Sequence, residues 1–101
     1  YTVERDVADI ACGTGYGADL LRQRGARSVI GVDIDSEAVE YANRKHASKG
    51  VSFLSAPGET TGLPDGSRDV VVSFETIEHV PDDKALLREF HRILRPGGIL
   101  D

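Results

Sequence analysis

The chain has 101 residues, 40% of them apolar and 29% charged, with a formal net charge of -5 at neutral pH. That is room for one domain with its own core. No apolar run approaches the ~20 residues of a membrane span, residues 1–6 do not read as a secretory leader and none is expected, and an acidic balance without a basic block advertises no nucleic-acid surface. The one cysteine, Cys12, excludes an internal disulfide and fits a reducing, cytoplasmic setting.

Strand and helix signals alternate along the chain. Val7 to Ala11 is apolar apart from Asp9 and reads as a first strand. It breaks into Gly13, Gly15 and Gly17, the pattern of a sharp strand-to-helix turn with bared backbone. A helix from Gly17 to Arg24 follows, closed by Gly25. Ser28 to Asp33 reads as a second strand, and Asp35 or Ser36 caps a helix to about His46, with Val39, Ala42, Asn43 and His46 at helical spacing. His46 has no partner in view and is expected at the surface, like His91. Val51 to Ser55 is a short third strand; Ala56 to Ser67, rich in Gly, Pro, Thr and Ser, is a loop with space for one helical turn. Asp69 to Phe74 is a continuous apolar run, expected of a parallel strand covered on both faces. Pro81-Asp82-Asp83 opens a helix whose Leu87, Phe90 and Leu94 share a face and which is expected to end at Pro96-Gly97-Gly98. Gly98-Ile99-Leu100 then reads as the start of a fifth strand.

This alternation implies an α/β fold: a Rossmann-like parallel sheet with flanking helices and right-handed crossovers, truncated after the start of the fifth strand. The whole chain, 1–101, reads as one such core. In this architecture ligands sit outside the C-terminal ends of the strands, where strand order reverses.

Two ligand classes compete for the glycine turn. A dinucleotide would place its pyrophosphate over the helix N-terminus, and Gly13-Thr14-Gly15-Tyr16-Gly17-Ala18 fits a loose form of that fingerprint. Asp9 opposes it, because a carboxylate at the end of the strand would face the phosphates with like charge. S-adenosylmethionine, with a sulfonium, an ammonium and no phosphate, has the matching charge.

Asp9-x-Ala11-x-Gly13-x-Gly15 resembles the first motif of the class I S-adenosylmethionine-dependent methyltransferases, acid-x-Gly-x-Gly-x-Gly. Ala11 replaces the first glycine, a small change if φ there is negative. Gly31-Val32-Asp33-Ile34-Asp35 resembles the second motif, Asp69 to Glu75 the fourth strand, and Arg95-Pro96-Gly97-Gly98 the turn before the fifth. The resemblance runs from Val7 to the last residue. It implies that Asp9, Ala11, Gly13 and Gly15 surround the donor, while Tyr16 covers its methionine moiety or packs on the helix. Asp33 would accept the ribose hydroxyls, a geometry that nicotinamide cofactors share. Ile34 would lie on the adenine, although an apolar residue there equally suits the core. The carbonyls of Ser73 and Phe74 would face the methionine amine.

The adenine end departs from the family pattern. Pro57 stands where many relatives have an Asp, leaving Glu59 or a backbone carbonyl to replace it, and Arg68 stands where an aromatic is common, as a solvated turn residue. Glu75, Glu78 and His79 read as polar residues of a loop, as a source of the general base through Glu75 or His79, or as a carboxylate–imidazole metal site. Cys12 reads as a small residue packed under the loop, with a reactive thiol at the helix N-terminus as its rival. The function that follows is methyl transfer from S-adenosylmethionine to an O, N or C nucleophile of a small-molecule acceptor. The rival readings are a non-catalytic binding module of this fold and a dinucleotide-dependent oxidoreductase.

Overall fold

The computed structural model describes residues 2–73 and 83–101. Five strands and three helices follow in the order β1 (Asp6–Ile10), α1 (Tyr16–Gln23), β2 (Ser28–Asp33), α2 (Ser36–His46), β3 (Val51–Ser55), β4 (Arg68–Val72), α3 (Asp83–Ile93) and β5 (Leu94–Leu100). The sheet order is β3-β2-β1-β4-β5, and every adjacent pair is parallel. The chain therefore winds outward from β1 in one direction through β2 and β3, then returns to start β4 on the other side of β1. The reversal of strand order falls between β1 and β4.

Alternation along the strands divides the core into two layers. On one face, Val7, Val29, Val70 and Val72 pack with Ala18 of α1, Val39 and Ala42 of α2, and Phe53. On the other, Ala8, Ile10, Val32 and Val71 pack with Leu86, Phe90 and Ile93 of α3 and with Leu63 from the loop after β3. This is a helix–sheet–helix sandwich, as the alternating apolar runs predict. Asp35 caps α2, its Oδ1 accepting from the amides of Glu37 and Ala38 at 3.0 and 3.2 Å.

Three expectations need correction. The last helix ends at Ile93, before Pro96, and passes directly into β5. Leu94 pairs with Arg68 and Ile99 with Val70, so residues 95–98 form a bulge inside the strand rather than a turn before it. Gly97 supplies a φ of 80° there, and a side chain on Gly98 would meet the Asp69 carbonyl at 3.0 Å. Arg68 is not a solvated turn residue: it is half-buried at the start of β4 and donates to Ser28 Oγ at 3.3 Å. His46 is not without a partner, because its Nδ1 lies 3.1 Å from Asp19 Oδ2 and ties α2 to α1.

The N-terminal end of the sheet is closed by charge. Arg27 reaches Asp6 at 2.8 Å and Asp69 at 3.4 Å, while Arg95 reaches Asp69 at 2.9 Å and Asp6 at 3.1 Å. The Asp6 amide donates to Asp69 at 2.9 Å, and Ser28 Oγ donates to Asp6 at 2.7 Å. The Arg27 hydrogen bond leads the interactions that hold the Asp6 carboxyl far below the usual carboxylate range.

Candidate functional site

Three segments meet at the opposite end of the sheet: the glycine turn after β1, Asp33-Ile34 at the end of β2, and residues 56–59 after β3. They enclose a cleft of about 140 Å³, bordered by Ala11, Asp33, Ile34, Pro57 and Glu59, with Leu86 of α3 also lining it. A space of that size takes one end of a ligand rather than a drug-sized whole.

Asp33 organises the cleft. Its Oδ2 accepts the Gly13 amide at 2.8 Å and its Oδ1 the Asp35 amide at 2.9 Å, so one carboxylate ties the glycine turn to the start of α2. Both oxygens keep acceptor capacity for a ligand. Ile34 stands 74% exposed beside it. An apolar side chain left in solvent next to a carboxylate is a surface on which a flat ring can rest.

Asp9 sits one strand away and is only 3% exposed. No donor among the described residues pairs with its carboxyl. Burial first, and then the Asp33 charge, push it up to about 7. The same two carboxylates, after burial, push the Cys12 thiol up to about 12. That direction, with its seat against the core beneath the loop, favours the packing role for Cys12 over a thiolate.

The glycines of the turn divide their work. A side chain on Gly13 would meet nothing within 4 Å, so the backbone there is open on its outer side. Gly15 is required by packing instead: a Cβ there would lie 2.8 Å from the Phe53 ring and 2.9 Å from the Ala42 methyl. Its amide is already donated to Cys12. Tyr16, at the first position of α1, is 71% exposed. Ala11 departs from expectation. Its φ is 64°, in the left-handed region, so alanine replaces glycine at a position that favours glycine.

Pro57, Gly58 and Glu59 form one wall of the cleft, and the Pro57 carbonyl already accepts from the Thr60 amide at 3.1 Å. Ser73 follows β4 directly, one residue after Val72, which pairs with Asp9. Phe74, Glu75, Glu78 and His79 lie outside the described residues. Sequence reasoning missed Gly58, whose missing side chain leaves no gap: a Cβ there would stand 2.8 Å from Leu86 Cδ1. Only a predicted contact between that loop and α3 would have revealed it.

A parallel sheet that reverses strand order beside an acid-lined cleft defines an α/β domain of the nucleoside-binding type. Comparison with known proteins makes this specific. The family described as a methyltransferase domain matches residues 8–100. A Mycobacterium tuberculosis protein named a probable S-adenosylmethionine-dependent methyltransferase is 44% identical over 96 residues, which cover 95% of this chain and 34% of that protein. A ubiquinone biosynthesis O-methyltransferase of Pseudomonas aeruginosa is 36% identical over 98 residues, covering 93% of this chain and 41% of its own length. The solved structure of an S-adenosylmethionine-dependent methyltransferase from Mesorhizobium loti matches with a TM-score of 0.88 at 27% identity, over 96% of this chain and 44% of that one. The chain belongs to the methyltransferase domain family. It spans between a third and a half of the length of these relatives.

Proposed function

We propose that this chain is the donor-binding core of an S-adenosylmethionine-dependent methyltransferase acting on an O, N or C nucleophile of a small-molecule acceptor. The observation that carries this reading is the acid pair at the strand ends: Asp33, which lines the cleft and holds the Gly13 amide, and Asp9, buried one strand away within reach of its charge, with no lysine or arginine paired to either among the described residues. A buried carboxyl without a donor among the described residues fits a cationic ligand and opposes a diphosphate. When bound, the donor supplies a methyl group already activated on a sulfonium.

The residues then have positioning work. Asp33 offers its remaining lone pairs to the ribose hydroxyls while it holds the Gly13 amide. Ile34 and the Pro57–Glu59 wall flank the base. Asp9 is placed opposite the cationic end, whose charge favours the ionised form of its carboxyl, and Tyr16 and Ser73 stand at the same edge of the sheet. Alignment of donor and acceptor is the main contribution required of such a site, worth roughly 7–11 kcal/mol. Glu75 or His79 is assigned the acceptor proton. The lone cysteine supports a cytoplasmic setting, and no helix among the described residues is long and apolar enough to cross a membrane.

Calorimetric titration of the full chain with S-adenosylhomocysteine tests the proposal. Saturable 1:1 binding is expected, weakened about 10- to 100-fold in Asp33→Ala, the usual effect of losing hydrogen bonds to a charged group. No heat with the parent protein, an unaltered affinity in Asp33→Ala, or tighter binding of NADH than of S-adenosylhomocysteine would overturn it.

A further inference from the structure

One turn of α3 carries a cluster that the donor contacts do not use. Glu89 is 7% exposed, and its Oε2 accepts both the amide and the hydroxyl of Thr61, each at 2.7 Å. Arg92 donates to both oxygens of Glu89 at 2.8 Å. Thr61 Oγ1 in turn accepts the Leu63 amide at 3.2 Å. Further along the same loop, Arg92 pairs with Asp65, and its carbonyl accepts the Gly66 amide at 2.9 Å. A long connection without regular structure is thus fastened at both Thr61 and Asp65-Gly66 to one helical turn.

That connection begins with the wall of the cleft. Leu86, one turn before Glu89 on α3, lines the cleft and lies against Gly58, where a Cβ would stand 2.8 Å from Leu86 Cδ1 and force that side chain to shift. Residues three apart on a helix share a face, so Leu86 sets the depth of the wall and Glu89 fixes the segment that follows it. Loops left without such ties open locally at little free-energy cost.

We infer that Glu89 is a positioning residue for the nucleoside end of the donor cleft, acting through Thr61 on the Pro57-Gly58-Glu59 wall; this rests on the donor-binding reading above. Glu89 touches no ligand in this scheme. Its effect is to keep the wall in one place, so that binding does not have to order it.

The test compares two probes, S-adenosylhomocysteine and methylthioadenosine, which share the nucleoside but differ in the amino-acid tail. In Glu89→Gln and in Thr61→Val, both affinities are expected to fall about tenfold with their ratio unchanged. Thr61→Ser, which retains the hydroxyl and the amide, is expected to restore affinity to within about twofold of the parent. Far-UV circular dichroism confirms that each variant is folded at the temperature of titration, and Thr61→Val covers the case in which Glu89→Gln does not fold. Unchanged affinities in a folded variant overturn the inference, as does a loss confined to S-adenosylhomocysteine. If the parent binds neither probe, the donor reading fails instead. Hydrogen exchange at the Thr60 amide, which donates to the Pro57 carbonyl of the wall, then decides the latch separately: faster exchange in Glu89→Gln supports it, and equal exchange overturns it.

Discussion

The two ends of the sheet treat their acids in opposite ways. At the N-terminal end, Asp6 and Asp69 share Arg27 and Arg95, and Ser28 completes the cluster. At the C-terminal end, Asp9 feels the Asp33 charge with no arginine or lysine to compensate among the described residues. Asp6 and Asp9 are three residues apart on one strand, yet the first is held far below the usual carboxylate range and the second is raised to about 7. The closed end is built for stability. The open end tolerates an unfavourable arrangement, as binding sites commonly do.

The largest expected difference between the ends is in pH dependence. In the unfolded chain Asp9 ionises near 3.8, whereas in the fold it keeps its proton to about 7. Between those values the native state holds a proton that the unfolded state has lost, so stability falls as pH rises. Over about three units this amounts to about 4 kcal/mol. Asp6 has the opposite sign: its stabilisation is complete above the ordinary carboxylate value and disappears as pH falls below it. Urea unfolding of Asp9→Asn should therefore show a gain over the parent at pH 8 and little change at pH 4. The same variant should discriminate less between S-adenosylmethionine, which carries the sulfonium charge, and S-adenosylhomocysteine, which does not. A flat difference across pH would remove the contrast between the two ends.

Asp6→Ala probes the closed end. It leaves Arg27 and Arg95 sharing Asp69 alone and strips Ser28 of its acceptor. A loss of about 2 kcal/mol is expected, within the range for charged hydrogen bonds and moderated by the exposure of Arg27. The urea midpoint should drop with the slope unchanged, while affinity for S-adenosylhomocysteine stays at the parent value. A variant that lost binding as well would mean that the two ends are coupled through β1.

What was legible in the sequence follows this division only in part. The strands and helices were readable because apolar runs, glycine punctuation and the Asp35 cap are local signals, and β2 and β3 fall at their predicted bounds. Asp9, Gly13 and Asp33 were readable as a group because the topology of a parallel sheet brings strand ends together. The closed end was not, since Asp6, Arg27, Asp69 and Arg95 become neighbours only once β4 lies beside β1 and β5 beside β4. The Glu89–Thr61 bond likewise spans 28 residues between a helix and a loop. The start of β5 was hidden by Pro96-Gly97, which reads as a break but is a bulge that the strand continues through.

The backbone sign at Ala11 was also beyond the sequence, because alanine announces neither half of conformational space. At a φ of 64° its methyl carries the left-handed penalty of roughly 1–2 kcal/mol. Ala11→Gly removes that strain but gives the unfolded chain more freedom, which offsets roughly 0.4–1 kcal/mol of the gain. The balance is a stabilisation of about 0.5–1 kcal/mol, the smallest effect considered and the one most local to the open end. Thermal unfolding of the variant at pH 5, where Asp9 keeps its proton, isolates the backbone contribution from the charge. A rise in Tm would show that the open end carries strain in its backbone as well as in its carboxylates. A fall would mean that the Ala11 methyl, at the rim of the cleft, makes contacts worth more than the strain of its φ.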